Sequence, residues 1–310
     1  MVNLEKKHVL CSRLTYTNIK RKKVKINLPQ IDKEAMINAC TRGVKDNCRK
    51  KRLLASKEHI LKTSNIYCAA LAKVGLSKIN ANQKFVGEAT KDDMIYLYEE
   101  RLVKSKQGKE FYNAIIAGAP WGKCPICGHY LADTVDHYLP KAIYYQFSVT
   151  LENLVPMCMK CNLCKRDDIP KIREKETIHP YFDDFDDEEW LFAKIEEEAG
   201  DPFGFLFSVE SPSVWSEEKC CRARNHLSKY KLDDLYNKLS AADINKELKK
   251  LKQSYSINKD LSALKSSISD YLKVEREYNP NSWQTAVYRC LNTDLWFWNT
   301  FIPEFLDINK

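Results

Sequence analysis

Glycine and proline are scarce in this 310-residue chain, with only 9 and 11 copies. Collagen-like and low-complexity architectures need far more of both residues, so the composition excludes them. Long apolar runs are also missing, and no stretch approaches the ~20 residues that a membrane span requires. The opening residues, Met1 to Lys7, are not followed by the apolar core of a signal peptide. We therefore expect a cytoplasmic protein with no membrane partner.

The residues that are abundant indicate a folded protein. Hydrophobic residues make up 44% of the chain and aromatic residues 11%, which is enough to bury a sizeable core and argues against global disorder. At roughly 100–200 residues per domain, the length predicts about two domains, or one core with helical flanks.

Charge is distributed unevenly along the chain. The 50 lysines and arginines exceed the 42 acidic residues, which gives a net charge of +8. Residues 1–60 contain 16 lysines and arginines against five acidic residues, whereas residues 183–201 contain ten acidic residues and one lysine. We expect the N-terminal part to be the surface that contacts phosphates and the acidic run to be a separate feature. Within it, Asp183–Glu189 is predicted to be a solvated loop or helix start, or else a second metal site or a contact for a basic partner.

Two helical regions flank a centre of different character. Asp32 could cap a helix that begins at Lys33, and helical spacing of apolar residues continues until Gly118-Ala119-Pro120 breaks it. Helical patterns return from Ser216 onwards. We predict three segments: a basic, mostly helical N-terminal arm (1–118), a central module (119–182), and an acidic linker with a helical C-terminal arm (183–310).

Twelve cysteines are many for a chain in a reducing compartment, where thiols serve as metal ligands or buried apolar groups. Two C-x2-C pairs, Cys124/Cys127 and Cys158/Cys161, are separated by 30 residues and can supply four thiolates to a tetrahedral zinc ion. Such a closed site has no open position, so the predicted zinc is structural. A redox role is disfavoured because there are two pairs and no thioredoxin-like βαβ pattern. Cys164 could replace one ligand or be a bystander.

Residues suited to phosphodiester hydrolysis lie between and just after the cysteine pairs. They occur in the segments TVDHYLPK (134–141), NLVPMC (153–158) and CNLCK (161–165). The pattern D-H-x-x-P, N-L-V-P-x-C, C-N-x-x-K resembles that of the HNH, or ββα-metal, endonucleases, in particular the subgroup with a four-cysteine zinc. The resemblance covers about residues 121–182. It implies an α+β fold in which a small zinc-stabilised ββα-metal module is embedded between mainly α-helical arms.

The resemblance also implies a role for each polar residue of the pattern. Asp136 is similar to the metal-ligating aspartate, and His137 to the general base. Asn153 is similar to the asparagine that braces the loop and orients the histidine, and Asn162 to the last metal ligand. A carboxylate and an amide oxygen suit a hard ion such as Mg²⁺ or Mn²⁺. A neutral histidine can take a proton from water, because its ordinary pKa is near 6.5.

Several further residues are candidates with two open interpretations. Lys165 and Lys141 are predicted contacts to phosphate, or else solvated lysines. His179, in the segment His179-Pro180-Tyr181-Phe182, is either a packed anchor or a site residue. The basic stretch 42–52 is either a clamp on backbone phosphates or a solvated helix.

These features together predict a divalent-metal-dependent HNH endonuclease that hydrolyses DNA. Long helical arms around such a module resemble HNH effectors of bacterial anti-phage systems, such as the Septu-type nuclease that works beside an ABC-type ATPase. The chain has no Walker-type glycine loop, so an ATPase would be a separately encoded partner. Two alternatives remain open: a non-catalytic, zinc-stapled nucleic-acid-binding or scaffold protein, and an HNH nuclease that acts on RNA.

Overall fold

A computed structural model describes residues 26–81, 86–167, 169–198 and 202–308. Within these ranges the fold is α+β, as predicted, with many helices and two small antiparallel sheets. None of the described helices combines the length and the apolar character that a membrane crossing requires. The first 25 residues of the predicted N-terminal arm, which carry part of its basic charge, lie outside the described ranges.

The secondary structure elements follow the chain in three groups. The N-terminal helices are α1 (Lys33–Arg42), α2 (Asn47–Ala55), α3 (Lys57–Lys73), α4 (Lys91–Tyr96), the π-helical segment Leu97–Val103, and α5 (Lys106–Ala117). The central elements are β1 (Thr134–His137), β2 (Leu154–Met157) and α6 (Met159–Lys165). The C-terminal elements are β3 (Leu191–Glu196), β4 (Gly204–Val209), α7 (Glu217–Lys229), α8 (Leu232–Asn258), α9 (Leu261–Tyr278), α10 (Trp283–Thr293), the π-helical segment Phe297–Phe301, and α11 (Ile302–Phe305).

Polar side chains cap several helices at their N-termini. The Asp32 carboxylate accepts hydrogen bonds from the backbone N–H groups of Glu34 and Ala35, which confirms the predicted start of α1. Ser216 and Ser282 cap α7 and α10 in the same way. Because the first N–H groups of a helix have no intrahelical partner, each such cap contributes about 1 kcal/mol.

The central strands form an antiparallel pair in the predicted place. Thr134 lies opposite Met157 and His137 lies opposite Leu154, so both strands fall within the segments 134–141 and 153–158 that carry the resemblance. The outer edge of β1 is held by two tyrosines of the N-terminal arm. The Tyr98 hydroxyl donates to the Val135 carbonyl (2.7 Å), and the Val135 N–H donates to the Tyr112 hydroxyl (3.1 Å). The N-terminal helices therefore fix the strand that carries Asp136 and His137.

Tight packing places these two tyrosines. Tyr98 lies in the π-helical segment Leu97–Val103 and Tyr112 lies in α5. The two elements approach so closely at Gly108 that a Cβ there would overlap the backbone carbonyl of Arg101. Only glycine fits at this contact, and the chain uses it to bring both hydroxyl groups to the edge of β1.

A second hairpin lies where the sequence indicated an acidic linker. Strands β3 and β4 pair from Leu191↔Val209 to Glu196↔Gly204. Leu191 and Ala193 are buried, whereas Phe192 between them is half-buried and Lys194 is exposed. This alternation is that of a half-buried strand, and the surrounding acidic residues hid it. Residues 183–189 are irregular backbone, and the hairpin occupies the part of the acidic run that begins at Leu191.

The core does not follow the three predicted segments. One cluster of buried residues joins Val135 and Leu154 of the central strands to the N-terminal helices through Met36 and Leu97. A larger cluster joins the cysteine pairs to the C-terminal arm, where Leu235 and Trp283 are among its members. The central strands therefore share a hydrophobic core with the arm on each side.

Candidate functional site

Four cysteine side chains converge in the centre of the molecule. The sulfur atoms of Cys124, Cys127, Cys158 and Cys161 all lie within 4.8 Å of one another, and all four residues are buried. Tetrahedral zinc with Zn–S bonds of about 2.3 Å requires sulfur separations of about 3.8 Å. The cluster is therefore suited to a structural metal ion such as zinc, and the predicted convergence of the two C-x2-C pairs is confirmed. Cys164 lies outside this group.

Two short turns, one in each cysteine pair, bring the four sulfur atoms close together. In the first pair, the Gly128 N–H donates to the Cys124 carbonyl (2.8 Å), and Gly128 has a φ of +64°, which favours glycine. In the second pair, the backbone N–H of Cys161 donates to the Cys158 sulfur (3.4 Å) at the start of α6. Both turns are local, which is why the spacing predicted them.

The thiols hold their protons unequally. Hydrogen bonds from the other three cysteines lower the pKa of the Cys127 thiol, whereas the hydrogen bond to Cys127 raises the pKa of the Cys124 thiol. Four buried thiolates repel one another unless a cation lies among them. The cluster thus has the chemistry of a site that exchanges its protons for a metal ion.

The C-terminal arm braces the first cysteine pair from behind. His226 donates through Nε2 to the Ile126 carbonyl (3.0 Å), and its Nδ1 accepts from the Ile178 N–H (3.3 Å). The Tyr236 hydroxyl donates to the Cys127 carbonyl (3.1 Å). Helices α7 and α8 therefore hold the turn whose backbone would otherwise be unsatisfied in the core.

His137 ends β1 in a single orientation. Its ring is buried, and Nε2 lies 2.8 Å from the Ser148 carbonyl. Since a carbonyl can only accept, Nε2 carries the proton and Nδ1 is the basic nitrogen of the neutral ring. Burial lowers the pKa of His137 from 6.5 to about 3, so the ring is neutral at physiological pH. The edge of the ring packs against Tyr98, with the ring centroids 4.3 Å apart.

Asn153 ties together the connection between β1 and β2. Its Oδ1 accepts from the Leu139 N–H (2.7 Å), and its Nδ2 donates to the carbonyls of Leu139 (3.0 Å) and Phe147 (3.3 Å). The side chain is fully buried. Phe147 immediately precedes Ser148, whose carbonyl lies at His137 Nε2, so Asn153 is hydrogen-bonded to the segment that contacts His137.

The Asp136 side chain lies against helix α6. Its carboxylate lies 3.4 Å from the ammonium group of Lys165. Lys165 is buried, and burial lowers its pKa while Asp136 acts in the opposite direction. Asn162 is half-buried and lies one turn before Lys165 on α6. The structure therefore places Asp136 and Asn162 on facing elements, with Lys165 as the observed partner of Asp136.

The other predicted lysine contact, Lys141, lies beside the π-helical segment Leu97–Val103. The ammonium group of Lys141 lies 3.6 Å from the Glu99 carboxylate and 5.5 Å from the centroid of the Tyr98 ring. It is close enough to His137 to add to the lowering of that pKa. Neither Lys141 nor Lys165 is a freely solvated lysine.

His179 is fully buried beneath the site. Its Nδ1 accepts from the Tyr181 N–H (3.3 Å), and its Nε2 lies 3.1 Å from the Tyr67 hydroxyl. The ring lies against that of Tyr138, with the centroids 4.3 Å apart. This is the position of the packed anchor, one of the two interpretations of the sequence.

Protonation of His179 should destabilise the fold. Burial lowers its pKa from 6.5 to about 3, so below pH 6.5 the unfolded chain binds a proton that the native state does not. We expect the free energy of unfolding to decrease as the pH is lowered below 6.5. His179 should contribute up to about 1.4 kcal/mol per pH unit to that decrease. His179→Gln should remove that contribution from the slope of unfolding free energy, measured by urea denaturation between pH 7 and 5. The exposed His59→Gln is the control, and an unchanged slope in His179→Gln would contradict the assignment.

Two buried carboxylates form ion pairs that were not predicted. Glu152 is buried next to Asn153 and accepts from Ser64 (2.7 Å) and from the ammonium group of Lys33. Asp93 is also buried, and Arg49 and Arg52 of the basic stretch 42–52 contact it at 3.0 and 2.7 Å. Hydrogen bonding to these arginines holds the pKa of Asp93 well below its ordinary range. Part of the candidate phosphate clamp is thus committed to the interior.

Fold and site together define the class: an α+β protein with a buried four-cysteine site suited to a structural metal ion. The chain is 31% identical over 220 residues to protein ea31 of Escherichia phage lambda, and the match covers 66% of this chain and 73% of that protein. The chain belongs to the same family as ea31. No protein-family model and no solved structure matches it.

Proposed function

We propose that the protein is a divalent-metal-dependent endonuclease of the HNH, or ββα-metal, class that hydrolyses DNA. The observation that carries the proposal is the union of three elements in one small module. An antiparallel strand pair leads into a short helix, and a four-cysteine cluster joins the two. The strand and the helix of this module carry the carboxylate, imidazole and amide groups that the class uses.

Asp136 and Asn162 would hold the divalent ion. A carboxylate and a carboxamide oxygen form a hard donor set, which suits Mg²⁺ or Mn²⁺ and not a soft-ligand ion. When bound, such an ion would neutralise the phosphate and stabilise the leaving oxygen.

His137 would act as the general base. Its Nε2 proton is committed to the Ser148 carbonyl, which leaves Nδ1 to accept a proton. A water oxygen would bond to phosphorus while the bond to the leaving ester oxygen breaks, and Nδ1 would take the water's proton. Asn153 would keep Ser148, and hence the imidazole, in place.

The Lys165–Asp136 contact also favours a second candidate function. A protein cation that already neutralises the carboxylate suits a module that binds nucleic acid without cutting it. The two candidates differ in a single property, turnover in the presence of a divalent ion.

Cleavage assays distinguish the candidates. We expect the wild type to cut or nick supercoiled plasmid with Mg²⁺ or Mn²⁺, and Asp136→Asn to lose nearly all of this activity. Asp133→Asn is the matched control, because an asparagine keeps an oxygen for the hydrogen bond that Asp133 accepts from the Met159 N–H. A labelled RNA, assayed in parallel, tests the substrate class. Absence of products with every metal supports the binding protein, and full activity in Asp136→Asn overturns the metal-ligand role.

A role as effector of an anti-phage complex, with a separately encoded ABC-type ATPase, stays a prediction. One member of the family, ea31, comes from a bacteriophage. The prediction of a partner is therefore tested by co-expressing the protein with its neighbouring genes, whether these are bacterial genes or phage genes. Co-purification followed by mass measurement would identify a stable partner.

A further inference from the structure

The N-terminal arm touches the candidate base through the ring of Tyr98. Tyr98 lies in the π-helical segment Leu97–Val103, and its ring meets that of His137 at an interplanar angle of 67° with the centroids 4.3 Å apart. Both side chains are buried. Aromatic rings favour this T-shaped geometry, because the positive edge of one ring lies against the negative face of the other. The contact is therefore attractive as well as close.

A hydrogen bond fixes the Tyr98 side chain at its far end. The hydroxyl donates to the Val135 carbonyl (2.7 Å), and Val135 lies two residues before His137 on β1. Alternate residues of a strand face the same side, and Val135 and His137 are both buried there. Tyr98 thus contacts the backbone at one inward position of β1 and the imidazole at the next.

The segment that carries Tyr98 is anchored on two sides. Leu97 and Leu102 are fully buried and belong to the same core cluster as Met36 of α1. Gly108 of α5 lies so close that a Cβ there would be 2.7 Å from the Leu102 Cα. π-Helical turns are rare in proteins and are frequent at functional sites. The Tyr98 ring is therefore presented by a tightly packed element and not by a loop.

The hydrogen bond of His137 leaves part of its orientation undetermined. The bond from Nε2 to the Ser148 carbonyl excludes a half-turn flip of the ring, because the flip would put a carbon atom in place of the nitrogen. The tilt of the ring plane is not set by that bond, since the χ2 torsion of histidine is broad. The Tyr98 ring lies against the imidazole and restricts that tilt. The two contacts together fix the direction of Nδ1.

This direction matters for general-base catalysis. A base must lie within hydrogen-bond reach of the proton that it takes. A misplacement of about 1 Å at a reacting group can cost about 10²-fold in rate. A side chain that holds the imidazole of His137 therefore affects the rate of the chemical step without touching the substrate.

We propose that Tyr98 is a positioning residue for the His137 imidazole, and that its aromatic ring, not its hydroxyl, is the group that positions. The N-terminal arm then helps to arrange the site and does more than support β1. The catalytic consequence rests on the proposed function, because it requires His137 to be the base. The orientation of the ring can be measured without turnover.

Three substitutions test the proposal on the full chain. Tyr98→Leu removes the ring, whereas Tyr98→Phe keeps the ring and removes only the hydroxyl. Tyr112→Leu is the matched control, because the Tyr112 hydroxyl also bonds to the backbone of Val135 (3.1 Å), while none of the described ring contacts joins Tyr112 to His137. Initial rates of plasmid nicking at several plasmid concentrations give kcat and KM separately.

We expect Tyr98→Leu to lower kcat by about 10²-fold with little change in KM. Tyr98→Phe and Tyr112→Leu should retain most of the wild-type kcat. A wild-type kcat in Tyr98→Leu would overturn the proposal. Equal losses in the two Tyr98 variants, or an equal loss in Tyr112→Leu, would also overturn it, because the hydroxyl bonds to β1 would then explain the effect.

Long-range proton–nitrogen correlation NMR reports the orientation directly. With His137 assigned by comparison with His137→Ala, we expect a single Nε2–H tautomer in the wild type and in Tyr98→Phe, and broadened or mixed signals in Tyr98→Leu. If these signals appear but the wild type never cuts DNA, the positioning stands and the nuclease is overturned. An unchanged His137 signal in Tyr98→Leu overturns the positioning, whether or not the protein cuts.

Folding of every variant is checked by circular dichroism. If Tyr98→Leu does not fold, Tyr98→Met replaces it, because the unbranched methionine side chain adapts to irregular core space and has no ring. The same losses of kcat and of the single tautomer are expected in Tyr98→Met, and wild-type values of both would overturn the proposal.

Discussion

His137→Ala should abolish divalent-metal-dependent cleavage while zinc content stays at the wild-type value. General-base catalysis contributes about 10²- to 10⁴-fold to the rate, so the expected loss is of that size. The ring is held in one tautomer by the Ser148 carbonyl, and no second histidine lies in the described part of β1, β2 or α6 to replace it. Initial rates of plasmid nicking give the measurement, and metal analysis of the same sample gives the zinc content.

The matched control for this variant is His129→Ala. His129 is a half-buried histidine directly after the first cysteine pair, and its ring contacts Tyr130 rather than the candidate site. It should keep the wild-type cleavage rate. His137→Ala also leaves the Ser148 carbonyl without its donor, at a cost of about 1–3 kcal/mol, so cleavage is compared at a temperature where both variants are folded. Undiminished cutting by His137→Ala would show that another group acts as the base.

Replacing one cysteine of the cluster should unfold the central module. Structural zinc in small peptides binds with an apparent free energy of about 10–16 kcal/mol, which matches or exceeds the whole stability of a typical domain, about 5–15 kcal/mol. Cys161→Ser removes one thiolate and leaves the backbone N–H that donates to the Cys158 sulfur at the start of α6 in place. We expect about one zinc ion per chain in the wild type and loss of the ion in the variant. Metal analysis and urea denaturation measure the two effects.

Cys164→Ser is the control for that experiment. Cys164 is a half-buried thiol of the same helix, three residues after Cys161, and it lies outside the four-sulfur group. It should keep the zinc ion and the wild-type stability. Zinc retained at the wild-type level in Cys161→Ser would contradict the assignment of the four ligands.

The local parts of the site could be predicted because their chemistry depends on near neighbours in sequence. Two C-x2-C pairs need only short turns to form a metal site, and the strand pair and the following helix were implied by the resemblance. The roles of Asp136, His137, Asn153 and Asn162 were implied by resemblance, and cleavage assays have still to test them.

Contacts between distant segments could not be predicted. Nothing in the sequence around Lys165 indicates that its ammonium group is buried against Asp136, or that Arg49 and Arg52 pair with Asp93. The hairpin β3–β4 was also missed, because the acidic residues around it obscured two short strands. Each of these depends on which elements meet in space.

The four cysteine ligands and the approximate position of the strand pair β1–β2 could thus be predicted from residue types at short spacings, since a metal site and a hairpin require strict local patterns. Packing settled the burial of His137 and His179 and the ion pairs of Asp136, Asp93 and Glu152. The physical reason is that the hydrophobic effect is non-directional, so the order of apolar residues along the chain does not specify which helices and strands pack together. Apolar burial determines which faces of the helices and strands come into contact. The polar groups that lie between those faces then form hydrogen bonds and ion pairs with one another.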